Sequence, residues 1–196
     1  MNQERIDRLF SCRNEQGFDS ISYDKRKILE DLYKDSDIIE ILNNKELQAV
    51  NACPEDYYNV NIYSFLKIPD AQSKVKNFIC FEVNDTEIVY SNNIMVSKQI
   101  IFRTIAHQDD VSTIWGIDRQ DLLAALVKER FQWSNILGTQ LIKTYDSGKV
   151  AENGYYYRNM YFEQTAPNDI QNRLKSNRLD KLCITDPVDQ GCLYKT

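Results

Sequence analysis

Between Tyr23 and Tyr33 the apolar positions recur at helical spacing, with Ile28, Leu29 and Leu32 on one stripe and charged side chains around the rest of the turn. This predicts an amphipathic helix. Ser36-Asp37 offers an N-cap for the run Ile38-Ile39-Glu40-Ile41-Leu42, and Asn43-Asn44 closes it with residues that tolerate left-handed backbone. The region 23–50 therefore reads as helical. From Tyr57 the period shortens towards two. Asn59 to Ile68 alternates until Pro69-Asp70 breaks it, Lys76 to Val83 forms a second extended run, and Met95 to Ile105 a third, rich in β-branched residues. Asn84-Asp85-Thr86-Glu87 and Ser91-Asn92-Asn93 supply the polar residues of a hairpin-like connection.

A loop over 106–117 leads into the strongest helical pattern. Asp118 stands at the N-cap and Asp121 in the first turn. Leu122, Leu123, Ala125, Leu126, Val127 and Phe131 supply the apolar face, and Lys128 and Arg130 lie near the C-terminal end, where the helix dipole favours cations. Thr139 to Tyr145 and Tyr155 to Glu163 read as two more strands, bracketed by Asp146-Ser147-Gly148 and Glu152-Asn153-Gly154. This order predicts an α+β fold: an antiparallel or mixed sheet of about four to five strands with helices packed on one face. The expected domain spans 23–167. An N-terminal arm or short helix occupies 1–22, with Ile6, Leu9 and Phe10 as its apolar anchors, and a C-terminal arm occupies 168–196, where Ile170 and Leu174 stand at helical spacing.

Composition narrows the function classes. Among 196 residues, 24 basic and 29 acidic side chains leave a net charge of −5, which argues against a protein built mainly to grip phosphate backbones, although a local basic patch stays open. The five cysteines are scattered without a CxxC pair, so reduced thiols and an intracellular setting are expected, with no zinc site. No run is long and apolar enough to span a bilayer, and no membrane partner is expected. GxGxxG, GxxxxGK[ST] and GxSxG are absent, and a single histidine removes mechanisms that need two imidazoles.

Two constellations could carry chemistry. His107 with Asp109 and Asp110 could hold a divalent metal in a small hydrolase, but a short cluster lacks the further ligands such a site needs, and loop contacts are the simpler reading. The aromatic run Tyr155-Tyr156-Tyr157 with Tyr161-Phe162 could stack bases, yet only Arg158 lies nearby. Such a strand suits a sheet covered by helices on one side and by a neighbouring subunit on the other. Trp115 and Trp133 flank the central helix as packing residues or interface anchors. No catalytic residues, cofactor or metal are expected, and the profile suits assembly better than turnover.

The wording of the central segments resembles the small neck proteins of tailed bacteriophages, of the tail-completion or tail-terminator type. It lies in Asn61-Ile62-Tyr63 through Ile68-Pro69-Asp70, Phe78 to Val83, Ile101 to Asp109, and Gly116 to Leu123, and covers 57–165. The resemblance implies a non-enzymatic subunit of a homo-oligomeric ring, six- or twelve-fold. The ring would join portal-complex, neck and tail-tube proteins in the virion after assembly in the host cytoplasm, with non-specific genomic DNA possible in the channel. A head-side adaptor or stopper is the alternative role. On that reading, the loops 106–116 and 146–154 and the C-terminal arm contact neighbours. The subunit-interface candidates are His107, Asp109, Asp110, Trp115, Lys149, Tyr155, Tyr157, Ile170 and Leu174.

Overall fold

The computed structural model describes residues 20–67, 76–88, 95–150 and 154–167, so Ile170, Leu174 and both expected arms beyond these bounds lie outside the described residues. Helix α1 (Ser20–Tyr33) begins three residues before the predicted start. Helix α2 (Ser36–Ile41) is capped by Asp35, not by Ser36-Asp37. The Asp35 carboxylate accepts from the amides of Asp37 and Ile38 at 3.1 and 3.3 Å, so Ser36 is already helical. Asn43 ends α2 at φ +49°, as its position suggested, and Asn44 caps α3 (Lys45–Ala49) by accepting from the Leu47 amide.

The extended run expected from Asn59 contracts to β1 (Ile62–Tyr63). Asn59 turns at φ +59° and the Asn61 amide bonds back to the Tyr57 carbonyl, so the alternation at its start belongs to a turn. Strand β2 (Asn77–Ile88) runs through the Asn84-Asp85-Thr86-Glu87 segment expected to leave the sheet. A bulge between Asp85 and Glu87 absorbs the irregularity, and the Thr86 hydroxyl donates to the Ser97 carbonyl across it. Strand β3 (Met95–His107) follows, then helix α4 (Arg119–Phe131), strand β4 (Ile142–Val150) and strand β5 (Tyr155–Pro167).

Strand β4 is displaced from the predicted 139–145. The Leu141 amide and carbonyl are tied to Ser134 and Trp133 after α4, whereas Asp146-Ser147-Gly148, expected as a connection, pair with Met160, Asn159 and Arg158. The sheet order is β1-β2-β3-β5-β4, mixed because β1 runs parallel to β2 while the other neighbours are antiparallel. The fold is α+β with helices on one face, as the element order predicted.

Alternation divides the sheet. Ile79, Phe81, Val83, Ile100, Phe102, Met160 and Phe162 meet Ile28 and Leu32 of α1, Ile38 and Ile41 of α2, and the α4 stripe Leu123, Ala124, Val127 and Phe131. Ala124, not the expected Ala125, faces the sheet. Leu122 and Leu126 lie at the flank of α4, only partly buried. The opposite face carries a smaller cluster, Tyr63, Phe78, Cys80, Ile105 and Tyr155, at one end. Beyond it run Arg103, Asn159, Tyr161 and Tyr145, over which no described helix packs.

Candidate functional site

The end of β3 delivers His107, Asp109 and Asp110 to one corner of the molecule, but their side chains serve different neighbours. Asp110 is a structural hub. Its carboxylate accepts from Asn43 Nδ2 at 3.0 and 3.1 Å, from Asn77 Nδ2 at 2.6 Å and from Arg119 Nη2 at 3.2 Å. Arg119 also donates to the Asp110 carbonyl at 2.7 Å and the Ile41 carbonyl at 2.9 Å, fastening the start of α4 to the end of α2. An asparagine relay continues the network: Asn44 donates to the Asn61 side chain, and Asn61 Nδ2 to the Asn77 carbonyl. Helix ends leave carbonyls without intrahelical partners, and here Arg119 and Asn77 Nδ2 satisfy two of them by donating to the Ile41 and Leu42 carbonyls.

Asp109 points outward. Lys76 Nζ donates to it at 2.8 Å, and that bond is the main reason its carboxyl is held below the usual range. His107 is mostly buried with its ring edge-on to Tyr155 at 4.8 Å. Its Nδ1 lies 3.3 Å from the Asp109 amide nitrogen and 3.2 Å from the Asp109 carboxylate. Neutral imidazole accepts the first bond, and protonated imidazole donates the second. Asp110 thus spends its oxygens on three donors, and among the described residues no group of three or more histidine, cysteine, aspartate or glutamate side chains could hold a metal ion. A shallow polar cavity of about 300 Å³ lies beside the hub, lined by Asn43, Asn44, Asn61, Lys76, Asp109 and Asp110 among others.

The loop that follows is apolar and outward. Ile114, Trp115 and Ile117 are 91%, 56% and 47% exposed. The loop is closed all the same: the Thr113 hydroxyl donates to the Ile117 carbonyl at 2.6 Å, the Gly116 amide bonds to the Thr113 carbonyl, and Ser112 bridges Asp118. Gly116 turns at φ +71°, a conformation that costs glycine little. Asp118 occupies the predicted N-cap position but makes no side-chain capping bond, and Gln120 Nε2 approaches its carboxylate at 3.4 Å. Between this loop, α2 and the flank of α4 opens a groove of about 480 Å³. Ile41, Trp115, Ile117, Leu122 and Leu126 form its walls, and the carboxylates of Asp37 and Glu40 stand on its rim.

A family model, YomW, matches residues 35–164, from the Asp35 cap of α2 through most of β5. The chain belongs to the YomW family. It is a phage-derived family, and the chain is a phage-type protein. No curated protein matches the chain.

Within this YomW-family fold the sequence-predicted candidates separate. Trp115 is on the groove and Lys149 is exposed on β4. Tyr157 is half-buried on the open face beneath the Arg103 guanidinium, 5.0 Å from its ring centre. Tyr155 is not a surface residue: at 1% exposure it packs on Phe78 and His107, because its register against His107 places it in the smaller cluster. Asp110 is likewise committed to the hub.

Sequence reading missed Asn61, Asn77, Arg119 and the groove walls Leu122 and Leu126. The available signal was an asparagine at each end of an apolar run. A further ion cluster, also missed, ties β4 to β5. Arg158 donates to Asp146 at 2.6 and 2.8 Å and to Asp121 of α4 at 3.1 Å, while Lys143 reaches Asp146 at 2.6 Å. Arg158 above all holds the Asp146 carboxyl down to about 2.

Proposed function

We propose that the chain is a subunit of the phage neck, forming a ring that completes the tail and joins it to the head, and that it works by presenting surfaces and not by chemistry. The observation that carries this reading is the loop holding Ile114, Trp115 and Ile117 in solvent beside an apolar groove. Apolar side chains of this size leave water when a partner covers them, and a loop locked by its own hydrogen bonds loses little entropy on docking. The phage-derived family and the likeness to neck proteins in the central segments support the setting. The commitment of Asp110 to structural donors weighs against the metal-dependent hydrolase. A mildly acidic subunit is compatible with DNA sliding past it, since strong phosphate contacts would retard the duplex.

The deciding experiment is a phage carrying a stop codon in this gene. Accumulated full heads and tails of uncontrolled length, with labelled protein restored to the tail's upper end on complementation, are expected for a terminator. Heads that leak DNA beside normal tails would move the role to a head-side adaptor or stopper. Normal particles without the protein would end the proposal.

A further inference from the structure

The groove between α2, α4 and the loop is walled by five large apolar side chains and rimmed by Asp37 and Glu40, with no cation among its described lining residues. It therefore fits a segment with apolar anchors beside arginine or lysine. The chain contains such a segment outside the described residues. Arg5-Ile6-Asp7-Arg8-Leu9-Phe10-Ser11-Cys12-Arg13 carries Ile6, Leu9 and Phe10 at the i, i+3, i+4 spacing by which a partner helix presents anchors to a groove, with three arginines around them. We propose that residues 5–13 of one subunit dock in the Trp115 groove of its neighbour, with Arg5 and Arg8 against Asp37 and Glu40. This rests on the ring reading of the protein. It specifies how the ring closes: an arm and a groove are different surfaces, so each subunit gives one contact and receives one, and the contact propagates head to tail until it closes.

Ile6, Leu9 and Phe10 are too few to form a core of their own, and docking on an apolar groove would take both apolar surfaces out of water. Charge is complementary, arginine against a rim with two carboxylates, which favours this register over an acidic partner. The family match begins at residue 35, so the groove walls Ile41, Trp115, Ile117, Leu122 and Leu126 lie inside the matched region, while the arm lies ahead of it.

The test uses the full chain with substitutions at exposed or arm positions. An arm variant, Ile6→Asp with Leu9→Asp and Phe10→Asp, and a groove variant, Trp115→Ser with Ile117→Asp, are each expected to give single-chain masses by light scattering where the unaltered protein gives closed multimers. Circular dichroism checks that both stay folded. Mixed in equal amounts, the two variants are expected to form a dimer and nothing larger, because the good arm of one meets the good groove of the other while the remaining ends are dead. Charge reversal sharpens the result. Arg5→Glu with Arg8→Glu, and Asp37→Arg with Glu40→Arg, are each expected to weaken assembly by ten-fold or more, and their mixture to recover it.

Multimers that survive both variants would overturn the docking while leaving a ring built on another surface. An unaltered chain that is monomeric at tens of micromolar, as an arm folded into its own groove would make it, overturns the proposal too. Arm and groove variants that pair as expected, in a protein the stop-codon phage shows to be dispensable for the neck, would keep the contact and sink the neck role.

Discussion

Along β3 and β5, neighbouring positions send their side chains into different worlds. Phe102 lies on the helix-covered face, fully buried between Phe81, Phe131 and Phe162, with ring centres 4.8 to 5.9 Å away. One residue on, Arg103 lies on the open face, donating to Asn159 at 2.8 Å and stacking on Tyr157. Further along that face Tyr145 and Tyr161 pair at 4.8 Å with Tyr145 exposed. The covered face is held by close packing and by buried polar contacts such as Lys98 with Asp24 and the Thr104 hydroxyl donating to the Gln120 carbonyl. Among the described residues the open face is held by its backbone ladder and a few side-chain pairs. That contrast locates stability on the helix-covered side, while the exposed side chains that no described element covers lie on the open face and, at the flank of the helices, in the Trp115 loop.

The largest expected effect breaks the covered face at a buried ion pair. Lys98 of β3 reaches Asp24 of α1 at 2.7 Å, with side chains only 3% and 7% exposed, and Asp85 stands 3.9 Å from the same ammonium. Lys98→Met removes the ammonium from beside the buried Asp24 carboxylate, and urea unfolding should show a loss of about 3–5 kcal/mol. Adding Asp24→Asn should recover most of it. A double variant as unstable as the single one would show that the loss comes from packing and not from the stranded charge.

Next in size is the direct contrast between faces. Phe102→Ala removes the ring at the centre of the aromatic stack and should cost about 3–4 kcal/mol by the same measurement. Tyr145→Ala on the open face removes one member of an exposed pair and should cost about 1 kcal/mol or less. Equal losses would mean that the open face is as integral to the fold as the covered one, and the division drawn above would fail.

A smaller effect belongs to the edge of the covered face, where Arg158 clamps β4 and β5 to α4. The folded Asp146 carboxyl, at about 2, lies below its value in the unfolded chain, near 3.9. A depressed carboxyl contributes stability that is complete above the unfolded value and is lost as the pH falls through the folded one. Stability should therefore decline between about pH 4 and pH 2, and Asp146→Asn should flatten that part of the curve. The cluster is partly exposed, so 0.5 M salt should shrink the difference. An unchanged slope in the variant would remove Asp146 from the acid response.

These contrasts also explain which parts were legible in sequence. The covered face was readable because Ile28 and Leu32, and Leu123 and Val127, recur at helical spacing while Phe81, Phe102 and Phe162 sit in alternating runs. Local turn chemistry misled where tertiary bonds outvoted it. Asp146-Ser147-Gly148 has turn composition, yet Arg158, twelve residues on, draws Asp146 into the ladder. The His107-Asp109-Asp110 triplet looked like a unit because it is contiguous. Its three side chains part company only once Asn43, Asn77 and Lys76, distant in sequence, arrive beside them. The groove was illegible for the same reason: its walls come from α2, the loop and α4, and no single segment contains them.

The smallest expected effect probes a sealed region of the open face. Cys80 points to that side, but with Tyr63, Phe78, Ile105 and Tyr155 around it the thiol is fully buried, and burial pushes it up to about 11. At pH 8 roughly one part in a thousand would be thiolate, the form that reacts, and reagent access is blocked as well. Cys53, exposed before the short helical turn at Pro54–Tyr57, has no such shield. Iodoacetamide at pH 8 followed by peptide mass analysis should therefore modify Cys53 and spare Cys80, and urea should abolish the difference. Leu66 packs on this cluster and Lys67 Nζ lies 4.2 Å from the Tyr63 ring centre, so Leu66→Ala should speed Cys80 labelling while changing stability less than Phe102→Ala does. Labelling of Cys80 at the Cys53 rate in the unaltered protein would instead mean that this corner opens as readily as the rest of the face, and the seal would have no role in dividing the sheet.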